Sequence, residues 1–338
     1  MALITTLTLF FCVILPIISV FRLWLIGPQR NRRSISNNTK PKKVPVSVNY
    51  HFSRNCNYTC GFCFHTDTSS HVATPAEAKR ALRLLADAGM RKINFAGGEP
   101  FLYPKLLGEL IHHCKHGLGL ESVSIVTNGS KVTAGFLRRY RDEIDILAVS
   151  CDSFDEETNV AIGRGRGDQV RKLYEIAGWC RELGIAFKIN TVVNRLNFGE
   201  DMNAHISALR PFRWKCFQVL IVPGENDSEE TIRDANKFSI SDEAFEAFCE
   251  RHKKQKCLVP ESNRLMASSY LILDEYLRFL DKTGKQPSKS ILEVGVDAAL
   301  DSVFWDEAAF LERGGLYDWV KPESDKTACG TTAENLDW

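Results

Sequence analysis

Cys56, Cys60 and Cys63 stand at spacings of four and three within CNYTCGFC. Thiolates on so short a leash hold metal. Asn55, Asn57, Thr59 and Gly61 around them describe a loop rather than a core, which speaks against three unrelated buried cysteines. Two chemistries fit. With His65 the thiols would make a three-sulfur, one-nitrogen zinc site. Alone, they would hold a four-iron cluster. Such clusters ordinarily take four cysteines, so three leave one iron open to another ligand.

The bulk sequence narrows the setting. A chain of 338 residues is long enough for one large catalytic domain with appendages. Net charge is +1, so direct nucleic-acid binding is not expected and any anion site must be a local cluster. The eleven cysteines are odd in number and scattered beyond the opening trio. That excludes a dense disulfide framework and points to a reducing compartment.

Residues 2–21 carry no charge and would make roughly 30 Å of helix, about one bilayer core. A secretory signal would need a basic start and a small-residue cleavage site, and neither is evident. A spanning anchor and a helix lying in the membrane plane both fit Pro16, Arg22 and Trp24. The basic run from Arg30 to Lys43 reads as a polar linker and places the main domain on the cytosolic side by the positive-inside rule. The same charges would also serve as a plain solvated tether. The expected division is a membrane-associated helix at 1–26, a linker at 27–43, a barrel at 44–256 and a C-terminal extension at 257–338 that closes the active site.

Several elements must position the thiols. VPVSVNYHFS is a strand, and Thr74, Pro75 and Glu77 open a helix through a capping box with proline at its first position. KINFA, SVSIVTNG, DILAVSCDS, IAFKINTVV and WKCFQVLIV come next as strands. Helices are expected after Pro104, from about Ala134, and over 168–183 and 200–209. Six strand–helix units imply an α/β fold, a parallel sheet curled into a partial (β/α)6 barrel.

Strand parity then says what lies inside. Ile93 and Phe95 share one face of KINFA, opposite Lys92 and Asn94; Phe187 and Ile189 oppose Lys188 and Asn190. Arg213 and Lys215 share a parity in the sixth strand. Helices must cover the apolar face, so the polar parity points inward. An interior holding Lys92, Lys188, Arg213 and Lys215 needs a polyanion to offset the burial of charge. The alternative is that some of these residues sit at strand ends in solvent.

CxxxCxxC in the loop after a first barrel strand resembles the radical S-adenosylmethionine (SAM) superfamily. GGEP at 97–100, Asn128 in TNGS, Ser150 and Asp152, and Arg164 in GRGRG fall at successive strand ends, where barrel active sites lie. Their joint placement weighs against zinc. NYHFSRNCNYTCGFCFHT, KINFAGGEPFL, LVPESN, SYLILDEYLRFL and RGGLYDW narrow the resemblance to the viperin family, over nearly the whole chain from residue 44.

The resemblance implies a [4Fe-4S] cluster on Cys56, Cys60 and Cys63, with SAM on the open iron and held by Phe62, Gly97, Gly98, Glu99, Asn128, Ser150 and Arg164. It implies triphosphate contacts from Asn49, Lys92, Lys188, Arg213, Lys215 and Tyr270. Four of these are the basic residues that parity had already turned inward. The implied reaction converts CTP to 3′-deoxy-3′,4′-didehydro-CTP, an antiviral chain terminator. UTP or another nucleotide remains open, as does a membrane-tethered iron–sulfur scaffold acting through partners. The resemblance also implies an electron donor, the cytosolic face of the endoplasmic reticulum or lipid droplets, and recognition of Trp338 by the cytosolic iron–sulfur assembly machinery.

Overall fold

The computed structural model describes residues 43–283 and 286–317, together with Trp319. The expected membrane helix at 1–26, the linker up to its last residue and Trp338 lie outside them. Among the described residues no helix is long and apolar enough to cross a membrane.

In chain order, β1 (Ser47–His51) leads through a long loop to α1 (Pro75–Asp87), then β2 (Lys92–Ala96), α2 (Pro104–His112), β3 (Ser122–Thr127), α3 (Ala134–Arg139) and β4 (Ile146–Ser150). Beyond these lie α4 (Glu156–Ile162), α5 (Gln169–Leu183), β5 (Ala186–Val193), α6 (Asn203–Leu209), β6 (Arg213–Gln218) and α7 (Asp242–His252). The last part adds β7 (Leu258–Glu261), α8 (Asn263–Ser269), β8 (Ile272–Leu273), α9 (Ile291–Val294), α10 (Val296–Asp301) and α11 (Glu307–Glu312). The capping box is present: Thr74 accepts from Glu77 N, and Glu77 reaches back to Thr74 N, with Pro75 at the first position. This satisfies donors that the start of a helix otherwise leaves bare.

The strands form one parallel sheet in the order β7-β6-β5-β4-β3-β2-β1-β8, curled as a half barrel. The six expected strands form its uninterrupted middle. The two flanking strands escape a reading of the sequence for physical reasons. β7 contains Pro260, which punctuates a strand in sequence but is tolerated on a sheet edge. β8 is two residues long and carries no periodicity. The sixth strand ends at Gln218, short of the expected Val222. Asn226 captures the chain there, its side-chain carbonyl accepting from Val222 N at 2.7 Å and its amide donating to Phe62 O at 2.8 Å. The chain is thereby bent toward the thiol loop.

Register carries the parity argument across the sheet. Ala148 pairs with Lys188 and Lys188 with Arg213, while Ser150, Asn190 and Lys215 align two residues further on. The opposite parity, including Val48, Tyr50, Ile93, Phe95, Ile189 and Trp214, is fully buried in the core beneath the helices. Cys114, Cys151, Cys180 and Cys216 are free thiols buried in that same core.

Candidate functional site

The loop after β1 carries the thiols and is clamped by backbone. Thr59 N donates to Gly163 O at 3.0 Å and Gly61 N to Ile162 O at 2.9 Å, which fixes the loop on the end of α4. Gly163 has φ of +88°, and a Cβ there would stand 2.4 Å from Thr59 O. On the other side, Gly98 N donates to Ser53 O at 2.6 Å and Glu99 N to Asn55 O at 2.8 Å. A Cβ on Gly98 would lie 2.0 Å from Asn55 O. Both glycines of GGEP line the cavity while pressing against the backbone of residues 53–55.

The sulfurs face polar partners. Cys56 Sγ accepts from Tyr58 N at 3.4 Å and from Asn128 Nδ2 at 3.8 Å. Cys60 Sγ approaches Gly163 O at 3.8 Å. Burial raises all three thiols, Cys60 to about 12. A bound metal offsets that penalty by deprotonating them outright.

Geometry separates the two metal readings. A tetrahedral zinc needs its donors roughly 3.8 Å apart at a zinc–sulfur distance of about 2.3 Å. The thiols and His65 do not form a set with ligand atoms mutually within 4.8 Å. His65 is instead turned edge-on to His51, centroids 4.6 Å apart, with Nε2 3.9 Å from Glu275. Three thiols on one loop without a compact fourth ligand suit a polynuclear cluster, in which each binds a different iron.

Next to the thiols stand the strand-end residues. Asn128, Ser150, Asp152 and Arg164 line the same cavity as Phe62. Arg164 is paired with Asp152, whose Oδ1 also accepts from Val192 N at 2.9 Å. Burial works against the charge of Arg164, but the attraction and hydrogen bond of Asp152, together with Cys60 and Cys151, outweigh burial and hold the guanidinium firmly charged. Gln169 ties the carbonyls of Asn128 and Ser150 together through its amide, at 2.9 and 2.7 Å. Glu99 is different. It is 1% exposed and spends its oxygens on Thr127 Oγ1, Asn128 N and Phe101 N. Its carboxylate braces the ends of β2 and β3 and does not line the cavity.

The cavity, about 330 Å³, runs from the thiols down the curled sheet. Asn49, Lys92, Lys188, Lys215 and Tyr270 line it. Lys92 begins β2, so the cation end lies about 13 Å below the strand tips by the rise per residue. Arg213 does not line the cavity but stacks on Tyr317, 4.0 Å from the ring centroid, just behind it. Lys215 contacts Glu261 and donates to Tyr270 Oη at 3.0 Å; Tyr270 donates to Glu261 Oε2 at 2.6 Å.

Burial, reinforced by neighbouring cations, lowers Lys92 to about 7 and Lys215 to about 8, and drives Lys188 well below its ordinary value. Glu261 answers Lys215 and Arg313, whose Nη1 lies 3.5 Å away. Lys92, Lys188 and Lys215 repel one another, and the pull of Asp145 on Lys92 and of Asp281 on Lys282 does not restore their ordinary basicity.

Among the lining residues that escaped the sequence reading are Lys282, Arg313 and Tyr317. Burial lowers Lys282 to about 7. Arg313 lies over the Tyr270 ring at 3.9 Å, and Lys92 stands 5.2 Å from the Tyr317 ring centroid. All three sit outside the strands, where no alternation assigns a side chain a direction. RGGLYDW was visible only as a stretch of resemblance.

With this geometry in view, the relatives are informative. The Radical SAM superfamily description matches residues 50–209. The S-adenosylmethionine-dependent nucleotide dehydratase RSAD2 of Danio rerio is 56% identical over 84% of the chain and 80% of its own length. The protein of the same name from Siniperca chuatsi is 51% identical over 92% of both. The chain belongs to the radical SAM nucleotide dehydratase family, the viperin family. Among solved structures, Streptococcus suis SuiB bound to S-adenosylmethionine superposes with a TM-score of 0.58 at 16% identity, over 80% of this chain and 68% of that one. That likeness concerns the fold alone. Membership of this family brings a [4Fe-4S] cluster and SAM, and Cys56, Cys60 and Cys63 line the cavity that would hold them.

Proposed function

We propose that the protein dehydrates CTP to 3′-deoxy-3′,4′-didehydro-CTP. The observation that carries a triphosphate is the group of mutually repelling, desolvated lysines at the far end of the cavity that the three thiols cap. A polyanion there restores the protonation of each lysine through charge-assisted pairs. The choice of cytosine rests on the sequence resemblance.

Held by Cys56, Cys60 and Cys63, the cluster with SAM would supply the radical chemistry that removes the hydrogen at C4′ of the ribose. Departure of the 3′-hydroxyl as water, with one electron and one proton, then completes the alkene. The chain's own part is placement. Lys92, Lys188 and Lys215 pull the triphosphate to the strand-start end, which leaves the ribose facing the thiol loop. Arg164 and Asn128 present hydrogen-bonding groups beside the loop, where SAM must lie. The Tyr270 hydroxyl, kept neutral by burial, donates its hydrogen bond to Glu261 and so holds that carboxylate against Lys215. Attachment to a membrane through residues 1–26 and cluster delivery through Trp338 belong to the same reading, on the strength of the sequence alone.

The test is an anaerobic reaction of the cluster-loaded protein with SAM, a reductant and all four ribonucleoside triphosphates, read by mass spectrometry. Expected products are 5′-deoxyadenosine and a CTP-derived species lighter by one water. Dehydrated UTP instead would keep the chemistry and replace the base. An intact cluster giving no dehydrated nucleotide of any kind would overturn the reading. Cys60→Ala is expected to lose cluster and product together; a cellular effect that survived it would favour the scaffold.

A further inference from the structure

A second cluster of metal-ligating side chains lies outside the cavity. His112 ends α2, His116 belongs to the π-helical turn His113–Gly117 directly after it, and Glu143 sits between α3 and β4. His112 Nδ1 is 2.8 Å and His116 Nε2 3.0 Å from the same oxygen, Glu143 Oε1. The two rings are 4.6 Å apart, and all three ligand atoms lie within 4.8 Å of one another. The imidazoles are 64% and 60% exposed, so ions reach them freely, while the carboxylate is 13% exposed and held in place.

The frame around the trio is built rather than loose. Arg83 donates to Gly117 O at 2.7 Å, and Lys115 reaches Glu121 O at 3.1 Å. Lys115 also pairs with Asp145 at 2.7 Å, two residues from Glu143, so one ion pair spans both halves of the trio. A Cβ on Gly117 would press on the His113 ring at 2.8 Å, which keeps the turn tight. Two imidazole nitrogens and one carboxylate oxygen are a donor set for a borderline divalent ion, with water completing the shell. The trio precedes β3 and β4 and thus lies at the strand-start end, away from the thiol loop.

We propose that His112, His116 and Glu143 form a structural site for a divalent transition-metal ion of the zinc class, which ties the end of α2 to the turn entering β4. The ion replaces the shared protons on Glu143 and draws on a frame that is already in place.

The experiment titrates the full-length, cluster-loaded protein with Zn²⁺ alone, without oxygen, and counts bound ions by competition with a chromogenic chelator. Cluster absorbance is followed in parallel to exclude iron displacement. Wild type should take up one more equivalent than His116→Ala, and Zn²⁺ should raise the thermal midpoint of wild type only. Both proteins should yield equal 5′-deoxyadenosine, since no member of the trio lines the cavity. Equal zinc uptake by the two, or an equal rise in midpoint, would overturn the site. Should His116→Ala fold poorly, Glu143→Gln, which keeps shape and hydrogen bonding, must lose the same equivalent; retention of that equivalent refutes the proposal.

Discussion

The two ends of the cavity are held by different forces. At the thiol end, main chain meets main chain: residues 53–63 are gripped between the GGEP turn and Gly163 by peptide hydrogen bonds, at distances where no Cβ fits. At the other end, side chains meet across the sheet, and what holds them is charge and ring stacking. The first arrangement is specified by local backbone and fails when a methyl group is added. The second is specified by register and fails by degrees, as charge, pH or salt is varied. A cluster needs fixed ligand positions, whereas a triphosphate tolerates adjustment of flexible cations, so each end suits its occupant.

The sharpest break of that contrast is Gly98→Ala. Its Cβ would meet Asn55 O at 2.0 Å and the neighbouring Arg54 O at 2.6 Å, both backbone atoms that cannot swing aside. Overpacking of this kind costs about 1–3 kcal/mol, and here the strain falls on the thiol loop. Iron content after reconstitution is expected to drop most of the way to that of Cys60→Ala, although the substitution touches no ligand. Normal iron in Gly98→Ala would mean that the loop is not held by this contact.

The same contrast explains what was legible beforehand. CNYTCGFC and the Thr74–Glu77 capping box are contiguous, so spacing alone exposed them. Lys92, Lys188 and Lys215 are far apart in sequence but lie in strands, and alternation gave their direction. Arg213 shares the parity, yet its long side chain bends back onto Tyr317, a freedom that backbone direction does not govern. Glu99 comes directly after two glycines that touch the loop, and only three-dimensional contacts show its oxygens consumed by Thr127, Asn128 and Phe101. Lys282, Arg313 and Tyr317 come from irregular chain, for which sequence offers no period.

At the cation end, Lys188→Met keeps the methylene stem and removes the charge. A lost charge-assisted bond to phosphate is worth about 1.5–3 kcal/mol, so KM for the nucleotide should rise roughly 10- to 150-fold. Uncoupled SAM cleavage should persist, because the thiol end is untouched. Loss of iron in this variant would erase the distinction between the ends.

The pH response is a gentler probe of the same region. Without an anion, burial holds Lys92 and Lys282 near 7 and Lys215 near 8, all below 10.5. A bound triphosphate raises them again, so binding takes up protons. Affinity is therefore greatest where the free lysines are already charged and falls as pH rises through that range. For a single lysine at 7, the step from pH 7 to 8 should weaken binding about fivefold by linkage. Calorimetry in buffers of different ionisation enthalpy would read the uptake directly; proton release, or none, would contradict the buried-cation picture.

Tyr317→Phe asks for the smallest change and separates ring from hydroxyl. The ring carries the contacts with Arg213 and Lys92, at 4.0 and 5.2 Å, whereas the hydroxyl reaches Lys92 only at 3.5 Å. Cation–π attraction at a desolvated site is worth up to about 2 kcal/mol and survives in phenylalanine. A hydrogen bond at the limit of its length contributes little. KM should therefore move by less than about twofold, while Tyr317→Ala, which uncovers both cations, should cost about tenfold or more. If Tyr317→Phe proved as damaging as Tyr317→Ala, the hydroxyl would be a direct contact to the nucleotide, and the cation end would owe part of its grip to a fixed hydrogen bond of the kind that rules the thiol end.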